Sequence, residues 1–172
     1  MIKVCGAILV LIGTVGITYV MNGEMRTALG LKRELIKMLQ LLEGEIRHRN
    51  LNLPECFTAI ADRLSASVSG FLRGVAEELQ QREGIPLSTV WRERAESYFA
   101  QHPLCGKELE AFCKFGEEFG FRDQVMQREI IRQYQTHLEE EASEAMKKLR
   151  EMTRIYNVLG ILGGIFIVVI LL

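Results

Sequence analysis

Charge is missing from both ends of this chain and concentrated in its middle. No Asp, Glu, Lys or Arg occurs from Val4 to Met21, and none from Ile155 to Leu172. Runs of that length approach the roughly 20 apolar residues that carry a helix across a hydrocarbon core. A water-soluble fold has to hide every face of such a run, whereas a bilayer accepts all of them, so both ends read as membrane helices. Between them lie 22 acidic and 20 basic side chains, with Lys3 the one charge outside. That near balance disfavours nucleic acid as a ligand, because phosphate binding needs a basic excess. The 172 residues leave room for one domain besides the anchors. The expected division is an N-terminal transmembrane anchor over 1–21, a cytoplasmic helical bundle domain over 22–155 and a C-terminal transmembrane helix over 156–172.

A secretory signal is the rival reading of the first run, with Lys3 as its basic start. No small-x-small cleavage site follows, and the bulky Tyr19, Val20 and Met21 stand there instead, which favours a retained anchor. Thr14 and Thr18 can bond back to their own helix and so remain compatible with lipid. Basic residues set the orientation, since Lys and Arg stay on the cytoplasmic side. Arg26, Lys32, Arg33 and Lys37 follow the first run, and Lys147, Lys148, Arg150 and Arg154 precede the second. The expected location is therefore a cell membrane, crossed more than once, with the central domain in the cytoplasm. Gly13 and Gly16 in the first run, and Gly160 and Gly164 in the second, are candidate helix contacts, because small residues at helix-contact spacing let backbones approach, the second pair as a G-x-x-x-G. The partner is then this chain's other span, another membrane subunit or a second copy; the alternative is that glycine is simply frequent in membrane helices.

The middle reads as all-α, a bundle of about six helices. Leu35, Leu39, Leu42 and Ile46 mark the first, by their helical spacing among charges. Pro54 opens the second, with Phe57, Ile60, Ala61 and Leu64 on its apolar face. Ser65 to Ser69 reads as a polar joint, followed by a third helix through Phe71, Leu72, Val75 and Leu79 that ends at Gly84. Pro86 and Ser88 start the fourth, which carries Val90, Trp91, Ala95, Tyr98 and Phe99; Trp91 is taken as a core anchor rather than a ligand platform. Leu104 to Gly120 forms the fifth. From Asp123, apolar residues recur at Met126, Ile130, Tyr134, Leu138, Ala142, Ala145, Leu149 and Met152 without proline or glycine, so one long helix continues into the second run.

Chemistry is hard to find in this pattern. His48, His102 and His137 stand far apart, and Cys5, Cys56, Cys105 and Cys113 form no C-x-x-C pair, so no metal site or disulfide framework is expected. Gly106 and Lys107 imitate the tail of a phosphate-binding loop, but Gln101 and Glu108 occupy positions that need glycine and a hydroxyl residue. No catalytic residue and no cofactor is expected. A binding role remains, with Arg92, Glu93, Arg94 and Glu96, and Glu140, Glu144, Lys147 and Lys148, as a candidate partner surface; a plain solvated face is the other reading.

The stretch from Phe112 to Gln127, the long charged helix after it and the Tyr156 to Gly164 run resemble the stage III sporulation protein AB family. Phe115, Gly116, Phe119, Gly120, Asp123 and Gln127 carry the likeness, together with the helix starts at Pro54 and at Gly84 to Trp91. Phe119 stands where the family commonly has leucine, and Arg122 where a serine commonly precedes the aspartate, leaving helix capping to Asp123. The resemblance implies a membrane subunit of the mother-cell complex that helps build a channel between mother cell and forespore in endospore formation. It also implies a cytoplasmic domain similar to the inner-membrane platform protein of type II secretion and type IV pilus systems. The partners so implied are a cognate secretion-type ATPase of the same operon and other membrane subunits of the channel complex, in the mother-cell or outer forespore membrane. The competing reading is a membrane-tethered sensor or adaptor that binds a small molecule or another protein.

Overall fold

The computed structural model describes residues 23, 25–46, 52–82, 84–100, 104, 106–120 and 124–171, the side chains at 124, 156, 157, 160, 161 and 164–171 aside. Among them are six helices and no strand, so the chain is all-α. Helix α1 spans 25–46, α2 Leu53–Ala61, α3 Ala66–Gln81, α4 Leu87–Phe99, α5 Lys107–Gly120 and α6 Gln124–Leu171. Two compact units divide the chain: Gly30–Ala142, and Met1–Leu29 together with Ser143–Leu172.

In the Gly30–Ala142 unit, α2 packs on α3, α3 on α4 and α4 on α5. Helices α1 and α6 are antiparallel, since Lys32 meets Glu141 at 2.8 Å while Glu43 meets Arg132 at 2.9 Å. Leu31, Leu35, Met38, Leu39 and Leu42 all face the core from α1, the repeat expected of a helix that hides one side. Ile130, Ile131, Tyr134 and Leu138 do the same from α6. At the centre Trp91, Phe57, Phe71, Phe99, Phe112 and Phe119 are fully buried. Phe71 meets Trp91 edge to face with centroids 4.8 Å apart, and Phe112 lies 5.1 Å from the indole. Each such side chain contributes about 1.5–3 kcal/mol by leaving water, and the tilted ring pairs add to that.

Local expectations fail at the start of α3. The serine-rich stretch expected to be a joint is the first turn of the helix, with Ser65 extended at its N-cap and its N–H donated to Glu34 on α1 at 3.0 Å. Val68 is fully buried there, so tertiary packing outweighs the weak helix preference of serine. Pro54 is in the first turn of α2, where a missing N–H removes no helical bond.

Gly84 beyond α3 has φ 82°, and Gly106 before α5 has φ 58°. Nothing lies within 4 Å of a Cβ added at either position, so the penalty of a side chain is purely conformational. Gly84→Ala and Gly106→Ala are each expected to lower stability by about 1 kcal/mol, additively, which in a chain of this size shifts Tm by about 2–4 °C per substitution. A thermal melt that does not move would show that the turns relax into another conformation.

Helix α6 runs unbroken for 48 residues, about 72 Å. Among the described residues no helix is long and apolar enough to cross a membrane. The expected first span, 1–21, lies outside the described residues. Of 156–172, the backbone is helical through Leu171, and side chains are described at Val158, Leu159, Leu162 and Gly163.

Candidate functional site

Helix α4 has glycines on both sides. A Cβ at Gly70 of α3 would come 2.8 Å from the Tyr98 hydroxyl, and one at Gly74 would come 3.1 Å from the Arg94 guanidinium carbon. On α5, a Cβ at Gly116 would overlap the Trp91 ring, and one at Gly120 would touch Leu87 Cβ at 3.3 Å. Both glycine pairs are four residues apart and so share a helix face. Their partners on α4 follow the same spacing, Leu87 and Trp91 toward α5, Arg94 and Tyr98 toward α3.

Polar groups fix this seating. The Trp91 indole N–H donates to the Phe112 carbonyl at 3.1 Å, using the lone pair left over from the helical bond. The Tyr98 hydroxyl donates to the Ala66 carbonyl at 2.8 Å. Arg92 donates to Glu117 at 2.7 Å and with both terminal nitrogens to Glu110, at 3.1 and 3.2 Å, and it reaches Glu96 at 3.4 Å. The hydrogen bonds and charge of Arg92 hold the Glu110 carboxyl below its ordinary range. Its stabilising pair is therefore present above the unfolded carboxylate value and lost as pH falls through the lowered one. Arg94 pairs with Glu78 at 3.1 Å, and Glu93 with Arg82 at 3.0 Å, both toward α3.

A second polar node joins α1, α5 and α6. Lys32, 7% exposed, places its ammonium 2.7 Å from Glu108 and 2.8 Å from Glu141. Glu141 also lies 3.4 Å from His137 Nε2. Burial alone lowers the Lys32 pKa, but hydrogen bonds and charge from the two carboxylates overcome it and raise the value above the ordinary one. Lys32 thus belongs to the bundle interior, and the orientation argument after the first run rests on the exposed Arg26, Arg33 and Lys37.

Between α5 and α6 runs an open groove of about 210 Å³. Phe115, Ile130 and Tyr134 form its apolar floor, and Lys114, Glu118, Gln133 and His137 its rim. That volume is below the roughly 300–1,000 Å³ that encloses a small-molecule ligand. Cys56 and Cys113 are buried free thiols pushed up to about 11 by burial, which leaves them protonated and unreactive at neutral pH. Among the described residues no group of three His, Cys, Asp or Glu side chains is placed to hold a metal ion.

Of the residues that carried the family likeness, Trp91, Phe115, Gly116, Phe119, Gly120 and Gln127 belong to the packing of α5 against α4 and α6. Trp91, Gly116 and Gly120 form the α4–α5 contact, and Phe115 stacks on Tyr134 at 5.0 Å and 19°. Gln127 donates from α6 to the Phe119 carbonyl at 3.1 Å, closing the end of α5. Asp123, Gly13 and Gly16 lie outside the described residues, and Gly160 and Gly164 are described only as part of the α6 backbone. Of the candidate partner surface, Arg92, Glu93, Arg94 and Glu96 take part in the pairs within the bundle, while Glu140, Glu144, Lys147 and Lys148 are exposed. Sequence reasoning missed Gly70 and Gly74, although their four-residue spacing is the same signal that drew attention to Gly160 and Gly164.

The family model described as stage III sporulation protein AB matches residues 3–172. The chain belongs to that family. Membership puts it among sporulation proteins. It is similar to stage III sporulation protein AB of Bacillus subtilis (strain 168), 25% identical over 172 residues, which is 100% of both chains. It is also similar to a solved structure of stage III sporulation protein AB (SpoIIIAB), with 26% identity and a TM-score of 0.66 over 72% of this chain and 97% of that one. Gly116 and Gly120, which carried the likeness, have a physical role in this chain: they let the Trp91-bearing helix lie against α5.

Proposed function

We propose that this chain is a non-enzymatic membrane platform subunit of a secretion-like channel complex in sporulation, coupling a cytoplasmic ATPase to membrane components. The match to the stage III sporulation protein AB family along residues 3–172, terminal runs included, carries the reading. The two uncharged runs supply the proposed anchors, and the basic residues beside them put the central domain in the cytoplasm. A platform has to transmit force without deforming, and α4, packed between two glycine faces and tied by Arg92 and Arg94, gives the bundle a stiff centre. The face of α5 and α6 supports docking, because an apolar floor and charged rim stand together there. Glu140 continues the rim one turn beyond His137 and is exposed.

The test is co-purification of the full-length chain, in mild detergent, with the secretion-type ATPase of the same operon. Retention at micromolar concentration is expected, weakened about tenfold by Lys114→Glu combined with Glu140→Lys. No association, or a gene deletion that leaves spore formation intact, overturns the proposal.

A further inference from the structure

In the unit that contains Ser143–Leu172, α6 changes character over two turns. Lys147, Lys148, Arg150 and Arg154 are all exposed, interrupted by Glu151 alone among acidic residues. None of the four is in an ion pair among the described residues; Arg150 donates only to the Met146 sulfur, at 3.7 Å. Immediately beyond them, four large apolar side chains are exposed as well: Ile155 at 56%, Val158 at 48%, Leu159 at 58% and Leu162 at 57%.

The register connects the two groups. Lys147, Arg150 and Arg154 follow an i, i+3, i+7 stripe, and Val158 is its next member. Lys148 stands in the stripe of Ile155, Leu159 and Leu162. Ala145, Met146, Leu149 and Met152 are half-buried and occupy the opposite side. Both stripes pass from cationic to apolar, and all four cations precede all four exposed apolar side chains, with Arg154 the last of the first and Ile155 the first of the second. A protein partner seldom presents a sharp level below which everything is apolar and above which everything is anionic. The surface of an anionic bilayer does.

We propose that Lys147, Lys148, Arg150 and Arg154 bind the headgroups of anionic phospholipids while the apolar side chains after them contact acyl chains. The inference rests on the membrane reading above and adds a lipid preference to it. Lys147 is about 10 Å along the axis from Arg154, comparable to the physiological Debye length of about 8 Å, so the whole cluster lies within reach of the surface charge. The long aliphatic stems of Lys and Arg also let the upper and lower members of the cluster bend toward the same headgroup layer.

The experiment reconstitutes the full-length chain in phosphatidylcholine vesicles with and without phosphatidylglycerol. Flotation measures incorporation, and spin-labelled lipids of each type measure which lipid is held next to the protein. The expected result is a several-fold enrichment of phosphatidylglycerol over phosphatidylcholine, reduced toward parity by K147Q/K148Q/R150Q/R154Q together and by high salt. Equal association of both lipids overturns the proposal, and so does an enrichment that survives the four substitutions. A cluster that serves an acidic protein instead would give that same parity. A chain that floats with both lipid compositions but shows no preference overturns the lipid patch alone. One that floats with neither overturns the anchors and the patch together.

Discussion

Gly116→Ala is expected to destabilise the chain by about 3 kcal/mol, although the same substitution in an unhindered helix is stabilising by up to about 1 kcal/mol. The added methyl group would overlap the Trp91 ring, which is fully buried and cannot swing away. Phe71 and Phe112 stand 4.8 and 5.1 Å from the indole centroid, and its N–H is bonded to Phe112. Either α4 and α5 separate or the ring leaves its rotamer, and both forfeit close packing. Gly44→Ala is the internal control, because nothing lies within 4 Å of a Cβ at that helical position in α1. It should leave stability unchanged or improved. Trp91 is the chain's single tryptophan, so its fluorescence reports this core directly during denaturant unfolding. The Gly116→Ala melt should fall by about 10 °C. Trp91→Leu, itself costly, should be worsened little by Gly116→Ala, because the clash is gone; a double-mutant cycle followed by far-ultraviolet circular dichroism reads the coupling. Additive losses would mean that α5 yields elsewhere.

Lys32→Met carries the second large effect, about 2 kcal/mol. Methionine fills most of the volume but leaves Glu108 and Glu141 facing one another without their cation. Loss of one partner of a fully buried pair costs about 3–5 kcal/mol, and the figure is reduced here because the two carboxylate side chains keep 34% and 29% exposure. Adding Glu108→Gln and Glu141→Gln should restore much of the stability, since the uncompensated charge is then absent. In the unsubstituted protein the dependence on pH comes from Lys32. Lys32 has a raised folded pKa, so its contribution is fully present below the ordinary value of 10.5 and disappears as pH climbs through the raised one. A urea titration from neutral into strongly alkaline pH checks this: a Lys32→Met penalty that stays unchanged as the pH climbs past the raised Lys32 value would assign the effect to lost packing rather than charge.

Much of the fold is legible in the amino-acid order because helical periodicity is a local property. The stripe Leu35, Leu39 and Leu42, the proline at 54, the break near Gly84 and the uninterrupted course of the last helix each depend on a few neighbours along the chain. The misread serine stretch shows where locality ends. Ser65 to Ser69 has the composition of a joint, and only the burial of Val68 and the carboxylate of Glu34, thirty-one residues away, make it a helix start.

The candidate site was legible in its residues and hidden in its arrangement. Trp91, Gly116, Gly120 and Gln127 stand out in the sequence through the family likeness, but nothing in their spacing says that the glycine at 116 exists for the tryptophan at 91. Arg92 and Arg94 look like surface charge in the sequence because long basic side chains usually are solvated; only the approach of α3 and α5 turns them into ties between helices. Lys32 misleads for the same reason, as a basic residue near an apolar run that proves to be buried between two carboxylates.

By itself, then, the sequence determined the class of structure, the order of the helices, the segregation of charge from the two ends and the family. The tertiary structure decided which helix faces meet, which charges are internal and which remain exposed for a partner or a lipid. The division has a physical cause. Backbone propensity and periodicity act over a turn or two of helix, whereas a ring fitting over a glycine or a cation held by two acids depends on shapes brought together from distant parts of the chain.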